Sequence, residues 1–401
     1  MTNTLLAQIR LLAKDFFSET IACRRHLHSN PELSFAEYNT SEFIAGKLKE
    51  YKIAFTGGIA GTGISGIIEG KNPLKKTIAL RADMDALPIQ EAGTAVYKSK
   101  IPGVMHACGH DVHSASLLGA ARILQRLRGH FEGSVKLIFQ PGEEKLPGGA
   151  SLMIKEGVLE NPRPSAILAQ HVMPQLEAGK IGIRKGLYMA STDELYLSVK
   201  GKGGHAALPD TYVNPLLIAS AILLKLQEDF MNPGTKKIPD IPTVLAFGKI
   251  EGRGATNVIP QEVTLEGTFR TMDEKWRSEA HGMMKAAAEK IAAQMHGSCD
   301  FTIIRGYPFL INDENLTERV REYASEYLGA ENVVEIDRWM TAEDFAYYTH
   351  HTAACFYRLG TRNESRGIVS PVHTPSFDID ENALETGTGL MAWLAICELN
   401  L

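Results

Sequence analysis

Long apolar runs and an excess of basic charge are both missing from this sequence of 401 residues. A transmembrane helix needs about 20 consecutive, mainly apolar residues, and we find no such stretch in the chain. The formal net charge is −5 at pH 7, and lysine and arginine do not cluster among aromatic residues. Because nucleic-acid binding depends on basic surface, the sequence predicts a protein that binds neither membranes nor nucleic acids.

Cysteine is also sparse, and the few cysteines are scattered along the chain. They are Cys23, Cys108, Cys299, Cys355 and Cys397. An odd number without regular spacing argues against a disulfide framework and favours a reducing compartment. Residues 1–20 place apolar side chains at helical spacing among charged ones, which is typical of an amphipathic helix rather than a signal peptide. We therefore expect a cytoplasmic protein.

The composition and the apolar pattern indicate the fold class. Hydrophobic residues make up 44% of the chain and charged residues 22%, the balance of a globular protein with a core. Short, continuous apolar runs over residues 77–81, 135–139 and 166–169 predict strands that are buried on both faces. Residues 114–127, rich in alanine and leucine, predict a helix between the first two strands. This alternation predicts an α/β fold with a mixed sheet flanked by helices.

The predicted elements in the middle of the chain follow a different order. Its order is strand, helix, strand, strand, helix, strand, which is typical of a ferredoxin-like α+β domain. The predicted strands cover residues 194–200, 243–250, 262–271 and 300–305, and the predicted helices cover residues 214–229 and 274–294. We therefore expect a main domain formed by residues 1–183 and 307–401, with residues 184–306 inserted as a second domain.

Side chains of the types that bind metal ions follow several predicted strands, where α/β folds build their sites. They are Asp83 and Asp85, the loop 106–113 (His-Ala-Cys-Gly-His-Asp-Val-His), Glu143 and Glu144, His171, and the more distant His373. A divalent ion lowers the pKa of a bound water from about 15.7 to about 7, and two ions about 3.5–4 Å apart can share that water. Adjacent glutamates suit such a site, because one can bind metal while its neighbour moves a proton.

Simpler explanations exist for each of these groups. A pair such as Glu143 and Glu144 is commonly a solvated surface feature, and Cys108 could be a buried thiol without a ligand role. The density of ligand-type side chains in the loop 106–113 favours metal binding over these explanations.

Taken together, the motifs resemble one family. They are Arg-Ala-Asp-Met-Asp-Ala-Leu-Pro at 81–88, His-Ala-Cys-Gly-His-Asp at 106–111, the pair Glu143 and Glu144, Gly-Gly-His-Ala-Ala at 203–207, Ala-Thr-Asn-Val-Ile-Pro at 255–260, and Val-His-Thr-Pro-Ser-Phe at 372–377. They resemble the aminoacylase and carboxypeptidase group of dinuclear metallopeptidases. The branch they resemble most contains hippurate hydrolases, N-acetyl-diaminopimelate deacetylases and plant hydrolases of indole-acetyl amino acids.

The resemblance implies roles for residues of the main, catalytic domain. The positions that match metal ligands, for two divalent ions per subunit, are Cys108, His110, Glu144, His171 and His373. A thiolate ligand favours zinc, with manganese and nickel as alternatives. Glu143 matches the general acid/base, and Asp85 matches the carboxylate that orients a ligand. Related branches have histidine where this chain has Asp83, and we assign no metal to Asp83.

The resemblance also implies that the inserted domain is a lid and a dimerisation domain, so that a homodimer is expected. His205 matches a histidine that reaches the partner subunit's site in dimeric relatives and stabilises the oxyanion. Asn257 and Arg270 match residues that meet the carboxylate of the substrate. From the residues alone, His205 as an ordinary loop residue and Arg270 as a paired surface charge stay open.

The expected function is hydrolysis of the amide bond of a small N-acyl amino acid, which releases a carboxylate and the free amino acid. Glu143 would take a proton from the attacking water and deliver it to the departing amine. Two alternatives stay open, a dipeptidase or aminopeptidase-like enzyme with the same centre and a non-catalytic metal-binding relative. Glu143 argues against the second alternative, because metal storage needs no additional carboxylate beside the ligands.

Overall fold

Helices and strands alternate along most of the chain in a computed structural model, which describes residues 2–232 and 239–400. The helices are α1 (Thr2–Asp15), α2 (Phe17–Ser29), α3 (Tyr38–Glu50), α4 (His110–Leu127), α5 (Gly149–Lys155), α6 (Pro215–Met231), α7 (Glu274–Gln294), α8 (Glu314–Leu328), α9 (Ala346–Thr349) and α10 (Ala383–Leu399). The strands are β1 (Ala54–Ile59), β2 (Gly63–Glu69), β3 (Thr77–Asp83), β4 (Ser134–Gln140), β5 (Ala166–Glu177), β6 (Ile181–Ile183), β7 (Gly186–Met189), β8 (Asp193–Lys200), β9 (Gly204–His205), β10 (Thr243–Glu251), β11 (Val258–Ile259), β12 (Glu262–Thr271), β13 (Ser298–Arg305), β14 (Leu310–Asn312), β15 (Val333–Glu335) and β16 (Ala353–Arg362). Within these described ranges, none of the helices has both the length and the apolar character that crossing a membrane requires.

The chain divides into two compact units. The larger unit comprises Met1–Gly186, Ile311–Asp337 and Asp344–Leu401, and the smaller unit comprises Leu187–Leu310 and Arg338–Glu343. These bounds differ by a few residues from the expected insertion at 184–306. The segment Arg338–Glu343, which the sequence analysis gave to the main domain, clusters with the smaller unit.

The larger unit is built around a mixed sheet with the strand order β1-β2-β4-β3-β5-β16-β6-β15. At its centre, β3 runs parallel to β4 and β5, and β5 runs parallel to β16. Towards one edge, β1, β2 and β4 pair antiparallel. β3 and β4 are buried along their whole length, as their continuous apolar runs predict. The predicted mixed α/β sheet is confirmed.

Helices cover this sheet and complete its core. α4 and α10 pack against each other and against β3, and α1 and α2 pack beside them. α10 is buried at every position except Glu385 and Thr386, which explains why its sequence is mainly apolar on every side rather than on one stripe. The amphipathic helix predicted for residues 1–20 is two helices, because Phe16 adopts φ −92° and ψ 0° between α1 and α2.

The smaller unit has its own core. Its sheet has the order β10-β12-β8-β13, with every neighbouring pair antiparallel, and α6 and α7 pack against it. Buried and exposed side chains alternate along β8, the period expected of a strand with one buried face. Leu197, Ile222, Phe269 and Trp276 belong to the core. The predicted ferredoxin-like order of strands and helices is confirmed.

Candidate metal centre

The loop that carries Cys108 and His110 leads directly into α4, whose first residue is His110. Gly109 connects the two ligand-type residues in the left-handed conformation, at φ 84°. A Cβ atom at this position would lie 2.6 Å from Cγ2 of Val172. Both the backbone angle and the lack of space therefore require glycine here, and the ligand atoms of Cys108 and His110 lie within 4.8 Å of each other.

The remaining ligand candidates come from neighbouring elements. Glu143 and Glu144 follow the end of β4, and His171 lies in β5. His373 lies in a loop, where its backbone N–H donates to the carbonyl of Ala107 at 2.8 Å. Because β3, β4 and β5 are parallel, the residues at and beyond their carboxyl ends gather at one edge of the sheet.

Cys108 is the central side chain of this cluster. Its Sγ lies 3.4 Å from Nε2 of His171 and 3.3 Å from Nε2 of His373. Oε1 of Glu144 lies 3.3 Å from Nε2 of His373 and 3.9 Å from Nε2 of His110. Two of the groups of possible ligand atoms among the described residues contain Cys108, one with His110 and His171 and the other with Glu144 and His373. The thiol belongs to both groups.

Unsatisfied polar atoms indicate that the cluster suits cations. Among the described residues, Nε2 of His110 and Oε1 of Glu144 are buried without a hydrogen bond, although other ligand-type atoms lie nearby. A buried polar atom without a partner typically costs about 1–3 kcal/mol. The donor set of thiol, imidazole and carboxylate is the set that zinc and similar divalent ions bind. The residues therefore fit divalent ions.

The protonation of the cluster also reflects its negative charge. Burial lowers the pKa of His110, but the carboxylates of Asp83 and Asp85 outweigh burial and raise it to about 10. Burial, together with the charges of Glu144 and Glu143, raises the pKa of the Cys108 thiol well above its usual range. A bound cation would reverse both effects, because a coordinating thiol is deprotonated by the charge of the metal ion.

Asp85 holds several parts of the cluster in place. Its Oδ1 lies 3.1 Å from Nδ1 of His110 and accepts the backbone N–H of Glu143 at 3.1 Å. Its Oδ2 accepts the backbone N–H of Glu144 at 3.0 Å and the hydroxyl of Ser34 at 2.6 Å. With Nδ1 of His110 directed to Asp85, Nε2 is left to face the ligand cluster.

Glu143 lies beside the ligand atoms. The residue is 6% exposed, its Oε1 accepts the backbone N–H of Asp344 at 3.4 Å, and its Oε2 lies 4.0 Å from Nε2 of His110. A carboxylate placed next to the ligand atoms can exchange a proton with a molecule bound there.

A buried polar network, which the sequence motifs did not predict, adjoins the cluster through Asp83 and Asp344. Arg81 donates to Asp83 at 2.7 Å, to Asp344 at 2.9 Å and to Gln140 at 2.9 Å. Asp344 also accepts from the amide of Gln140 at 2.8 Å. Arg81 and Gln140 in strands that are buried along their whole length were the available signal, because buried polar and charged groups are retained where they are paired.

The candidates from the inserted domain lie in the smaller unit. His205 in β9 pairs with Val258 in β11, and the backbone N–H of Ala206 donates to the carbonyl of Asn257 at 3.0 Å, which brings His205 and Asn257 close together. Arg270 is half-buried in β12, and burial lowers the pKa of its guanidinium. In the part of the chain that the structure describes, no carboxylate forms an ion pair with Arg270.

Comparisons with known proteins find similarity to peptidases and to a hydrolase. The sequence model of peptidase family M20/M25/M40 matches residues 79–396. IAA-amino acid hydrolase ILR1-like 4 of Arabidopsis thaliana is 37% identical over 95% of this chain and 86% of its own length. Thermostable carboxypeptidase 2 of Saccharolobus solfataricus is 35% identical over 98% of each chain. The crystal structure of a dinuclear metal binding peptidase from Bacillus subtilis matches with a TM-score of 0.82 and 34% identity, over 96% of this chain and 99% of that one.

Proposed function

The chain belongs to peptidase family M20/M25/M40, and from this premise we propose that it hydrolyses the amide bond of N-acyl amino acids with the help of two divalent metal ions. The observation that carries the proposal is the convergence of ligand-type side chains around Cys108, with Glu143 beside them. The similarity to a plant hydrolase of IAA-amino acids supports an acyl amino acid as the small-molecule substrate.

We propose that the ions are held by Cys108, His110, Glu144, His171 and His373. The thiol belongs to both ligand groups, which supports Cys108 as a residue that would hold the pair of ions. Sulfur as a ligand favours zinc, with manganese or nickel as alternatives. When bound, the ions would supply a lowered pKa for water and polarisation of the amide carbonyl.

The protein's own residues carry the proton transfers. Glu143 accepts the proton of the attacking water at its carboxylate and passes that proton to the departing amino group. Asp85 keeps Nδ1 of His110 engaged and fixes the backbone at Glu143 and Glu144, so that both glutamates keep their positions during the reaction.

The smaller unit would bind the substrate. His205 is assigned to the developing oxyanion, and Asn257 and Arg270 to the carboxylate end of the amino acid. A half-buried guanidinium without a carboxylate partner among the described residues supports this role for Arg270, because a planar guanidinium binds a carboxylate through two parallel hydrogen bonds.

A homodimer formed through the smaller unit is part of the proposal. Leu217 and Leu224, seven residues apart on α6, are 60% and 73% exposed, and Ile250 in β10 is 52% exposed. β10 is also an edge strand in the order of its sheet. Exposed apolar side chains next to a strand edge support an interface with another chain. We place the protein in the cytoplasm, on the cysteine pattern of the sequence.

A peptidase is the second candidate function, because thermostable carboxypeptidase 2 is similar over nearly the whole chain. Amine release from N-acetyl, N-benzoyl and indole-acetyl amino acids and from dipeptides, with and without a chelator, separates the two. Cleavage of the acyl amino acids that the chelator abolishes is expected. Cleavage of dipeptides alone would favour the peptidase. Absence of cleavage of every substrate by the metal-bound protein would favour a non-catalytic protein.

A further inference from the structure

A chain of hydrogen bonds connects Asp83 to the ligand candidate His171. Oδ1 of Asp83 lies 2.6 Å from Nδ1 of His113, and the backbone N–H of Val172 donates to Nε2 of His113 at 2.9 Å. Nδ1 of His171 in turn lies 2.8 Å from the carbonyl oxygen of Val172. β3 pairs with β5 only as far as Ala169, and the side chain of His113 supplies the acceptor for Val172 beyond that point.

The chemistry of these partners fixes the tautomers of both rings. A backbone N–H can only donate, so Nε2 of His113 is the acceptor and the proton lies on Nδ1, where Asp83 accepts it. A carbonyl oxygen can only accept, so the proton of His171 also lies on Nδ1. Nε2 of His171 is then left with its lone pair towards Sγ of Cys108, 3.4 Å away.

Asp83 and His113 are themselves poor candidates for ligands, although both lie near His110 in a group that could hold an ion. Oδ1 of Asp83 is engaged by His113, and Oδ2 accepts from Arg81 at 2.7 Å. The hydroxyl of Ser114 also donates to the Asp83 carbonyl, at 2.6 Å. Both ring nitrogens of His113 are engaged as well. These side-chain atoms already have partners within the protein when no ion is bound.

We propose that Asp83 and His113 form a positioning pair that sets the orientation and the tautomer of His171 through the backbone of Val172. This inference deepens the proposed metal-dependent function and rests on it for the role of His171 as a ligand. Groups that orient a metal-binding histidine typically change metal affinity 10–100-fold when they are replaced.

The first test uses the unaltered protein without metal. Long-range ¹H–¹⁵N correlation spectra of its histidine rings report which nitrogen carries the proton. Both His113 and His171 are expected with the proton on Nδ1 alone. A proton on Nε2 of either ring would overturn the proposal, and the result does not depend on any variant folding or on any substrate being cleaved.

The second test compares two variants by the His171 spectrum and by Zn²⁺ affinity in competition with a chelator. His113→Asn keeps a donor near Nδ1 but removes the acceptor for Val172, so a mixture of His171 tautomers and a 10–100-fold loss of affinity are expected. His113→Gln returns an amide oxygen near the position of Nε2. This variant should recover most of the Zn²⁺ affinity and most of the single His171 tautomer. His130→Asn, at an exposed site, is the control and should change neither.

Equal losses in the two variants would indicate a merely structural role for His113 and overturn the proposal, and so would an unchanged His113→Asn protein. Because neither measurement uses a substrate, failure of the proposed hydrolysis and failure of the positioning pair give different results.

Discussion

At the scale of single residues, two adjacent glutamates have different surroundings. Oε1 of Glu144 faces Nε2 of His373 at 3.3 Å, while Oε1 of Glu143 accepts a backbone N–H from Asp344 at 3.4 Å. Both glutamates belong to a ligand group with His110, but only Glu144 is also grouped with Cys108 and His373, while Glu143 accepts a main-chain N–H. This difference supports metal binding for Glu144 and proton transfer for Glu143.

Glu143→Gln is expected to lower turnover by about 10²–10⁴-fold, the usual contribution of a positioned acid or base. Metal content should stay the same, because the amide keeps the shape of the side chain and Glu144 is intact. Steady-state rates and metal analysis of the purified variant check both points. Glu69→Gln, at an exposed position, is the control, and a Glu143→Gln protein with near-normal turnover would remove Glu143 from the mechanism.

The sequence identified the types of residue at the site, but it did not show which partners their side chains contact. Spacing after predicted strands singled out Asp83 and Asp85 alike, and the family resemblance gave a role to Asp85 alone; the contacts show how the two differ. Asp85 supports His110 and the glutamate backbone, whereas Asp83 is bound to Arg81 and His113. Partners such as Asp344 lie more than 200 residues from the side chains they contact, a distance that no local pattern reveals.

At the scale of elements, the connection between Cys108 and α4 is the most constrained. Gly109→Ala is expected to lower stability, since an L-residue in the left-handed region costs about 1–2 kcal/mol, and to weaken metal binding through contact of the new methyl with Val172. Urea unfolding and Zn²⁺ titration measure the two effects. Gly129→Ala, where a Cβ meets nothing within 4 Å, is the matched control. Wild-type stability and affinity in Gly109→Ala would contradict the account.

In the smaller unit, β8 and α7 are joined by a buried ion pair. Asp193 accepts from Arg277 at 2.6 Å and 3.0 Å and lies 2.7 Å from Nε2 of His281. Asp193→Asn removes the fully buried charge partner of Arg277 and leaves only the partly exposed Glu274, 3.0 Å away. Breaking a buried pair typically costs about 3–5 kcal/mol. Urea unfolding at neutral pH should show this loss, with the exposed Asp300→Asn as the control.

The same pair makes a prediction about pH. Burial raises the pKa of Asp193, but His281 and Arg277 outweigh it and hold that pKa below its ordinary value. The stabilisation is complete above about pH 4, the ordinary pKa of aspartate, and is lost as the pH falls through the lower pKa of the folded protein. The stability difference between wild type and Asp193→Asn should therefore shrink below about pH 4. A constant difference down to lower pH would contradict this explanation.

The sequence predicted elements well where an apolar run or a clear period marks them. β12 and α7 have the predicted bounds, and β3 and β4 lie within two residues of theirs. β5 was predicted to end at Ala169 but continues to Glu177. Its second part begins with Gln170 and His171, two polar residues that interrupt the apolar run on which the prediction depends.

At the scale of the whole molecule, the smaller unit includes a short segment, residues 338–343, that lies beyond the insertion expected at residues 184–306. Residues 338–343 join the smaller unit because Trp339 exchanges backbone hydrogen bonds with Tyr188 and Ala190. These partners lie about 150 residues earlier in the chain. A backbone contact over such a distance has no local sequence signal.

If dimerisation completes the site, two inactive variants should complement each other. A mixture of His205→Ala and Glu143→Ala proteins would contain hybrid dimers in which one site has both residues intact. Activity above the sum of the two separate proteins is expected after mixing and subunit exchange. Sedimentation should show hybrid dimers in the same sample, and hybrids without any recovered activity would confine His205 to its own subunit.

The central claim is that divalent ions held around Cys108 make this chain an amide hydrolase. The most direct measurement is a titration of metal-free protein with Zn²⁺, and in parallel with Mn²⁺, while hydrolysis of an N-acyl amino acid is followed. The account predicts no hydrolysis without metal and full recovery when two ions per chain have bound. Equal hydrolysis by the metal-free protein would contradict the claim, and so would recovery that survives replacement of both Cys108 and His110 by alanine.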